Sequence, residues 1–152
     1  MTLRTRLTDR LAHAPRSPSL LVVSDCYVGA LLVDDLDGTA DISLVTDLSR
    51  VAGRAPERVQ TTVGDLTSVE TLAGGADADV AVVVLKQDRR ALLVSQLLRT
   101  KLDIDSLVVV LNDPRRHDLL DGIATDVVCR STCLSAALSD ALARTLPEHV
   151  SS

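Results

Sequence analysis

The sequence predicts an α/β domain of the Rossmann-like class, with a doubly wound and mostly parallel six-stranded sheet. Two observations lead to this prediction. Six short segments rich in Val and Leu recur along the 152 residues and mostly lack polar alternation, as strands covered by helices on both faces do. Segments with helical apolar spacing separate most of them, and alternation of strand and helix is typical of a doubly wound sheet with right-handed crossovers.

Each predicted element follows from a local pattern in the chain. The strands are predicted at residues 20–23, 42–45, 59–63, 80–85, 107–111 and 126–129. The helices are predicted at residues 29–36, 65–72, 89–102, 115–123 and 134–146. Glycine and proline fall between these segments, at 37–38, 53–56, 74–75 and 113–114, where loops are required. We therefore expect one domain over residues 19–146, which at this length buries roughly 70% of the unfolded surface.

Both ends of the chain fall outside this alternation. Leu3, Leu7 and Leu11 lie one helical turn apart, which predicts an amphipathic helix and linker over residues 1–18, interrupted by Pro15 and Pro18. Packing on the domain or on a second copy is the simpler interpretation of this helix. Docking on a membrane partner is the alternative, because three arginines lie near the stripe. Residues 147–152 are expected to form a tail.

Composition excludes several classes of protein. The apolar runs are far shorter than the roughly 20 residues of a membrane helix, and the start of the chain lacks the apolar stretch of a signal peptide. The sequence therefore predicts a cytoplasmic protein without direct membrane insertion. Tyr27 is the one aromatic residue and the net charge is −5, which argues against nucleic acid as a partner. Three cysteines without an export signal argue against a disulfide framework.

The candidate binding site lies at the carboxyl ends of the predicted strands, because open doubly wound sheets bind ligands there. The first strand ends at residues 24–29, and the second ends at Asp47. The next three end at 64–65, 85–86 and 112–113. A carboxylate at the end of the second strand, about 20 residues after the first turn, is placed to accept hydrogen bonds from ribose hydroxyls. Asp47 fits that role.

Several of these residues resemble a known family. The segment Val63-Gly64-Asp65-Leu66-Thr67, the following Glu70-Thr71-Leu72, and a strand that opens with Ala78-Asp79 are similar to the TrkA-N domain, also called the N-terminal RCK domain (regulator of K+ conductance). The resemblance covers about residues 19–145 and includes the helix up to Arg99 and the strand before Pro114. It implies a Rossmann-like fold, a homodimer, and binding of NAD(H) or an adenine nucleotide that controls a potassium-transporting membrane protein.

The chain departs from the family at the phosphate loop. The pattern G-x-G-x-x-G aligns with Ser24 to Gly29, and only its third glycine is present. Gly29 still permits close packing of helix on strand, but the glycines used for the tight turn and for approach to pyrophosphate are replaced. Asp25 adds a carboxylate that competes with phosphate for the positive helix end. Both retained nucleotide binding and a lost or altered ligand are compatible with this loop.

The resulting prediction is a non-enzymatic regulatory domain at the cytoplasmic side of a membrane, peripheral through its partner. It would bind NAD(H) or an adenine nucleotide, form a homodimer, and control a separately encoded potassium or other ion transporter or channel. No metal site is predicted. The candidate ligand-binding residues are Ser24, Asp25, Cys26, Tyr27, Val28, Gly29, Asp47, Gly64, Asp65, Leu66, Leu85 and Lys86.

Two alternative functions remain open. The first is a degenerate domain that binds no nucleotide and serves only for dimerisation or as a scaffold. The second is a phospho-acceptor receiver domain, which Asp25 and Asp65 resemble. Receivers place a lysine at the end of the fifth strand, where this chain has Asn112. A dehydrogenase is not expected, because no His, Lys or Tyr is positioned as an acid or base.

The remaining polar residues receive simpler interpretations. Cys129 and Cys133, with Cys26 and His117, could supply zinc ligands, but buried apolar thiols are the preferred interpretation. Asp88 is interpreted as the N-cap of its helix.

The arginines near these positions are expected to be solvated. Arg89 and Arg90 are placed on the exposed face of the helix predicted at residues 89–102. Arg115 and Arg116 could approach a phosphate, although a solvated helix start is preferred.

Overall fold

A computed structural model describes residues 17–147 of the protein. Its six strands are β1 (Ser19–Ser24), β2 (Asp41–Thr46), β3 (Gln60–Val63), β4 (Val80–Val84), β5 (Leu107–Leu111) and β6 (Asp126–Cys129). They form one sheet in the order β3-β2-β1-β4-β5-β6, and every neighbouring pair is parallel. The predicted Rossmann-like class is confirmed, and the described sheet is wholly parallel.

The helices are α1 (Tyr27–Leu36), α2 (Ser49–Ala52), α3 (Val69–Leu72), α4 (Asp88–Thr100) and α5 (Arg130–Thr145). Two 3₁₀ segments, Ala73–Gly75 and Pro114–Leu120, complete the described chain. The predicted helix at 65–72 is shorter than expected, because Asp65 and Thr67 form a turn in its first part. The predicted helix at 115–123 is a 3₁₀ segment, and α2 lies where no helix was predicted.

The sheet is covered on both faces, which explains its continuous apolar strands. On one face, alternate strand residues such as Val22 and Leu44 pack against α1 and α2. On the other face, Val23, Val83 and Val109 pack against α4. Each fully buried Val or Leu contributes about 1.5–3 kcal/mol relative to an exposed one, so the two apolar layers hold the carboxyl ends of the strands in a fixed row.

The structure describes only a small part of the two predicted end segments. The predicted N-terminal helix lies outside the described residues, apart from Ser17 and Pro18, and most of the predicted tail lies outside them too. The Pro18 carbonyl accepts a hydrogen bond from the Asp41 amide at 2.8 Å and so extends the pairing of β1 with β2. Among the described helices, none is both long enough and apolar enough to cross a membrane.

Helix α5 differs from the others because none of its residues is buried. It begins at Arg130, four residues earlier than predicted. Its first turn is held to the end of β5, where Arg130 donates to the Asn112 side chain at 3.1 Å and Ser131 donates to the Asn112 carbonyl. The rest of the helix presents its leucines to solvent.

Candidate functional site

The carboxyl ends of β1 and β4 lie side by side where the strand order reverses. Ser24, the last residue of β1, pairs with Val84, the last residue of β4. The connection after β1 leads to β2 and the one after β4 leads to β5, so α1 and α4 lie on opposite faces of the sheet. Open parallel sheets usually bind their ligand in the crevice at such a reversal of strand order.

The loop from β1 to α1 is closed by a serine side chain. Ser24 is fully buried, and its hydroxyl donates to the Cys26 carbonyl at 2.9 Å and accepts from the Cys26 amide at 3.2 Å. A Cβ on Gly29 would lie 2.2 Å from the Ser24 Cβ, so only glycine fits there. The close packing predicted for Gly29 is therefore present. Ser24 engages the Cys26 amide, while Tyr27 and Val28 form the exposed first turn of α1.

The Asp25 carboxylate is not an unpaired charge. Its side chain is only 7% exposed. One carboxylate oxygen accepts the Lys86 amide at 2.9 Å, and the other accepts Nη1 of Arg90 at 3.1 Å. This carboxylate therefore has a cationic partner within hydrogen-bond distance, and its competition with phosphate for the helix end stays a prediction.

Asp47 follows β2 at the same edge and shares that partner. Its Oδ2 accepts Nη2 of Arg90 at 3.0 Å. Its Oδ1 is buried and, among the described residues, has no hydrogen-bond donor. A buried carboxylate oxygen without a donor costs about 1–3 kcal/mol, so Asp47 fits a ligand that brings a hydroxyl donor, such as a ribose. The ribose half of a nucleotide thus fits these residues better than its diphosphate, which meets a loop already closed by Ser24.

The end of β3 forms a tight turn beside Asp47. The Asp65 carboxylate accepts the Thr67 amide at 2.9 Å and the Thr67 hydroxyl at 2.7 Å. Gly64 donates to the Thr46 carbonyl at 3.0 Å and so keeps this turn against β2. Leu66 is fully buried in the core, so its side chain anchors the turn and does not face a ligand.

The hydrogen bonds of this turn lead to a testable prediction about the pKa of Asp65. The Thr67 amide, followed by its hydroxyl, lowers the pKa of Asp65 below its ordinary value because both stabilise the charged carboxylate. Its contribution to stability is therefore present above the unfolded pKa and is lost as the pH falls through the lower folded pKa. We expect Thr67→Val to raise the pKa of Asp65, measured by NMR titration, and Thr61→Val to leave it unchanged. Equal titration of wild type and Thr67→Val would contradict the assignment.

The ends of β4 and β5 are joined by a buried carboxylate. Asp88 accepts the Asn112 amide at 2.7 Å and the Asp113 amide at 3.0 Å. The prediction of Asp88 as an N-cap is wrong: Gln87 occupies that position, and the Asp88 carboxylate reaches across to the next loop. Leu85 is fully buried, while Lys86 is exposed and contributes its amide to Asp25.

The arginines of this edge differ from the prediction in one important case. Arg90 is not on an exposed helix face, since it spans Asp25 and Asp47 and is 29% exposed. Arg115 is held by the Asp113 carboxylate at 3.0 Å, which lowers the pKa of that carboxyl. Arg116 lies 3.7 Å from Asp88. Both Arg115 and Arg116 are thus paired with neighbouring carboxylates.

The cysteines are not buried as predicted. Cys26 and Cys129 are half-buried and Cys133 is exposed. The Thr132 hydroxyl, followed by the Thr132 amide, lowers the pKa of the Cys129 thiol. His117, considered a partner of these thiols, lies instead in an exposed group with Asp118 and Asp121.

Sequence reasoning missed the roles of Arg90 and Asp88. A helical wheel places Arg90 at the start of α4 without indicating that it reaches the ends of two other strands. A usable signal was present, because two aspartates at adjacent strand ends, Asp25 and Asp47, require a nearby cation.

Comparison with solved structures agrees with this fold. The TrkA-N domain of the inner membrane protein ybaL from Escherichia coli superposes with a TM-score of 0.70 at 16% identity, over 85% of this chain and 99% of that one. The NAD(P)-binding domain of an exopolyphosphatase-related protein from Archaeoglobus fulgidus gives 0.69, also at 16% identity, with the same coverage of both chains. The GsuK channel bound to NAD gives 0.62 at 20% identity, over 84% of this chain and 25% of the channel.

Sequence comparison identifies the family of the chain, which the similar folds alone do not. No curated protein matches it. The model of the TrkA-N domain, however, matches residues 27–131, which include α1, the turn after β3, and the strands and helices up to the start of α5. This match covers more than half of the chain and agrees with the resemblance seen at residues 63–67. The chain therefore belongs to the TrkA-N domain family.

Proposed function

We propose that this domain binds NAD(H) or an adenine nucleotide at the carboxyl edge of its sheet and regulates a potassium or other ion transporter or channel. The single observation that carries the binding part is the buried Oδ1 of Asp47, which lacks a donor among the described residues. A ribose hydroxyl would satisfy this oxygen at the position where parallel sheets of this order hold ribose. The role is regulatory and not catalytic.

The nucleotide's adenine side would lie toward β3. The turn at Gly64 and Asp65 stands next to Asp47, because β3 and β2 are neighbours and Thr46 pairs with Val63. Val63 is 50% exposed, although it ends a strand, and offers an apolar surface at this edge. These residues, with the first turn of α1, form the proposed site.

Calorimetric titration with adenosine, AMP and NADH tests the binding part. We expect wild type to bind at least one of them, and Asp47→Ala to weaken binding by about tenfold or more, the value of a hydrogen bond to a charged group. Asp41→Ala is the matched control, because Asp41 is exposed at the opposite end of the same strand. No binding at millimolar concentration would leave the dimerisation scaffold as the function.

Dimerisation is proposed because α5 carries an apolar stripe. Leu134, Leu138 and Leu142 recur every fourth residue of α5, and Leu146 follows at its C-cap. Their exposed fractions are 57%, 54%, 53% and 48%. Residues four apart lie on one helix face, so residues 17–147 of a single chain leave this face in water. A second copy of the same helix, carrying the same stripe, would cover it.

We expect Leu138→Asp to shift the protein toward monomer, because it places a charge in the middle of the stripe. Light scattering coupled to size exclusion would measure the change across micromolar concentrations. Leu31→Asp is the matched control, since Leu31 is 66% exposed on α1, outside the stripe. A wild-type protein that is monomeric throughout this range would contradict the proposed homodimer.

The membrane partner is supported by the comparisons named above. One similar domain belongs to an inner membrane protein and another to a channel. Affinity purification from detergent extracts of the source cells, with and without nucleotide, would test this part. An ion-transport protein should be retained by wild type and change in amount with nucleotide, whereas Asp47→Ala should lose this response. Absence of any ion-transport protein would count against the regulatory part.

A further inference from the structure

Arg90 crosses the crevice in which a nucleotide's phosphate would lie. It begins in the first turn of α4, after β4, and its guanidinium reaches Asp25 after β1 and Asp47 after β2. The two N–O distances are 3.1 Å and 3.0 Å. The side chain therefore bridges the ribose-side carboxylate and the loop that in other nucleotide-binding folds holds the phosphates.

The two carboxylates that contact Arg90 differ in their exposure and in their other hydrogen-bond partners. Asp25 is 7% exposed and also accepts the Lys86 amide, so both of its oxygens have donors. Asp47 is 29% exposed, shares Arg90 through one oxygen, and has no donor for the other among the described residues. The contact of Arg90 with Asp47 is thus the more accessible of the two, and it is the contact that a ligand can replace.

We propose that Arg90 is the phosphate-binding residue of this site and that it changes partners when a nucleotide binds. Without nucleotide, Arg90 holds Asp25 and Asp47 together. With an adenine nucleotide, it keeps Asp25 and turns its second amino group from Asp47 to the 5′-phosphate. Asp47 then has both oxygens available for ribose hydroxyls. The inference rests on the proposed nucleotide binding.

The chemistry of the loop explains why an arginine would be needed. Ser24 closes the loop and engages the Cys26 amide, so a phosphate meets fewer backbone donors than it would at a glycine-rich loop. A guanidinium supplies several donors in one plane and binds phosphate through two of them. Because Arg90 contacts Asp47, it would bind the phosphate that lies next to the ribose.

The affinity ratio of AMP to adenosine measures this contact, because the two ligands differ by one phosphate. We expect wild type to bind AMP about tenfold or more tightly than adenosine, the range of a charge-assisted pair. Arg90→Gln should bring the ratio close to one and leave adenosine affinity unchanged or slightly higher. Arg89→Ala is the matched control, since it removes the same charge from the adjacent, exposed position and should retain the ratio.

A double-mutant cycle with Asp25→Asn separates a phosphate contact from a merely structural role. Asp25→Asn releases Arg90 from one carboxylate and should strengthen AMP binding several-fold, and Arg90→Gln should remove this gain. The double variant leaves no unpaired buried carboxylate at Asp25, so it serves if Arg90→Gln alone folds poorly, as judged by circular dichroism.

Each outcome of the AMP and adenosine titrations either supports or overturns the role of Arg90. An unchanged ratio of AMP to adenosine in Arg90→Gln would overturn it while leaving nucleotide binding intact. Equal loss of adenosine and AMP would also overturn it, because Arg90 would then only position Asp47. Tighter AMP binding by Arg90→Gln would identify Arg90 as an obstacle and not as a phosphate ligand. If neither ligand binds any variant at millimolar concentration, the proposed function fails and the inference fails with it.

Discussion

Gly29→Ala is expected to destabilise the protein by about 3 kcal/mol, the upper range for overpacking a core. The added Cβ would lie 2.2 Å from the Ser24 Cβ and 2.4 Å from its hydroxyl, both far inside contact distance. The two groups belong to the end of β1 and the first turn of α1, so relief requires the helix to move away from the sheet. Urea denaturation followed by circular dichroism would measure the loss.

Ser24→Gly supplies the matched test, because it removes the atoms that the new methyl group would strike. In the Ser24→Gly background the next atom near a Cβ at position 29 is Val22 Cγ1, at an ordinary 3.6 Å. Gly29→Ala should then cost little, which gives a coupling of about 1–3 kcal/mol between the two positions. Gly53→Ala, whose nearest contact is 3.5 Å, should be nearly neutral. Additive effects of the two substitutions would contradict the close packing.

Asp88→Ala is expected to cost about 2–3 kcal/mol, because it leaves two backbone donors without their acceptor. The Asp88 side chain is 4% exposed and binds the amides of Asn112 and Asp113, which continue the chain beyond β5. The same carboxylate lies near Arg116. Loss of this carboxylate should therefore loosen the loop that follows β5, as faster hydrogen exchange at Asn112 and Asp113 would report.

Asp88→Asn should lose about half as much, since its amide oxygen can still accept one of the two hydrogen bonds. Asp118→Ala removes the same charge from an exposed position in the following 3₁₀ segment and should change stability by less than about 0.5 kcal/mol. An Asp88→Ala protein as stable as Asp118→Ala would show that the two amides find solvent partners instead.

Helix α5 shows how much of the structure a local apolar pattern predicts. Its apolar period predicts a helix, and the structure contains one from Arg130 to Thr145. The period alone does not indicate what covers the apolar face, and none of the helix residues is buried in the structure. A stripe of leucines specifies that a face needs a partner without specifying whether that partner is the sheet or another chain.

The sequence alone determined the strands and their parallel arrangement, and it placed the candidate site at the carboxyl ends of those strands. Buried parallel strands read as continuous apolar runs, and the residues that follow each run must meet at one edge, as Asp25, Asp47 and Asp65 do. These features depend on neighbours a few residues apart in the chain. Local spacing is therefore enough to predict them.

Only the tertiary structure decided which charges meet. Arg90 pairs with Asp25, 65 residues away, and with Asp47, 43 residues away. Asp88 binds amides 24 and 25 residues further along the chain. Such contacts depend on the strand order and on how far a long side chain extends over the sheet's edge, and no periodicity encodes either. The buried oxygen of Asp47 and the bridge formed by Arg90 could be found only once the chain had folded around them.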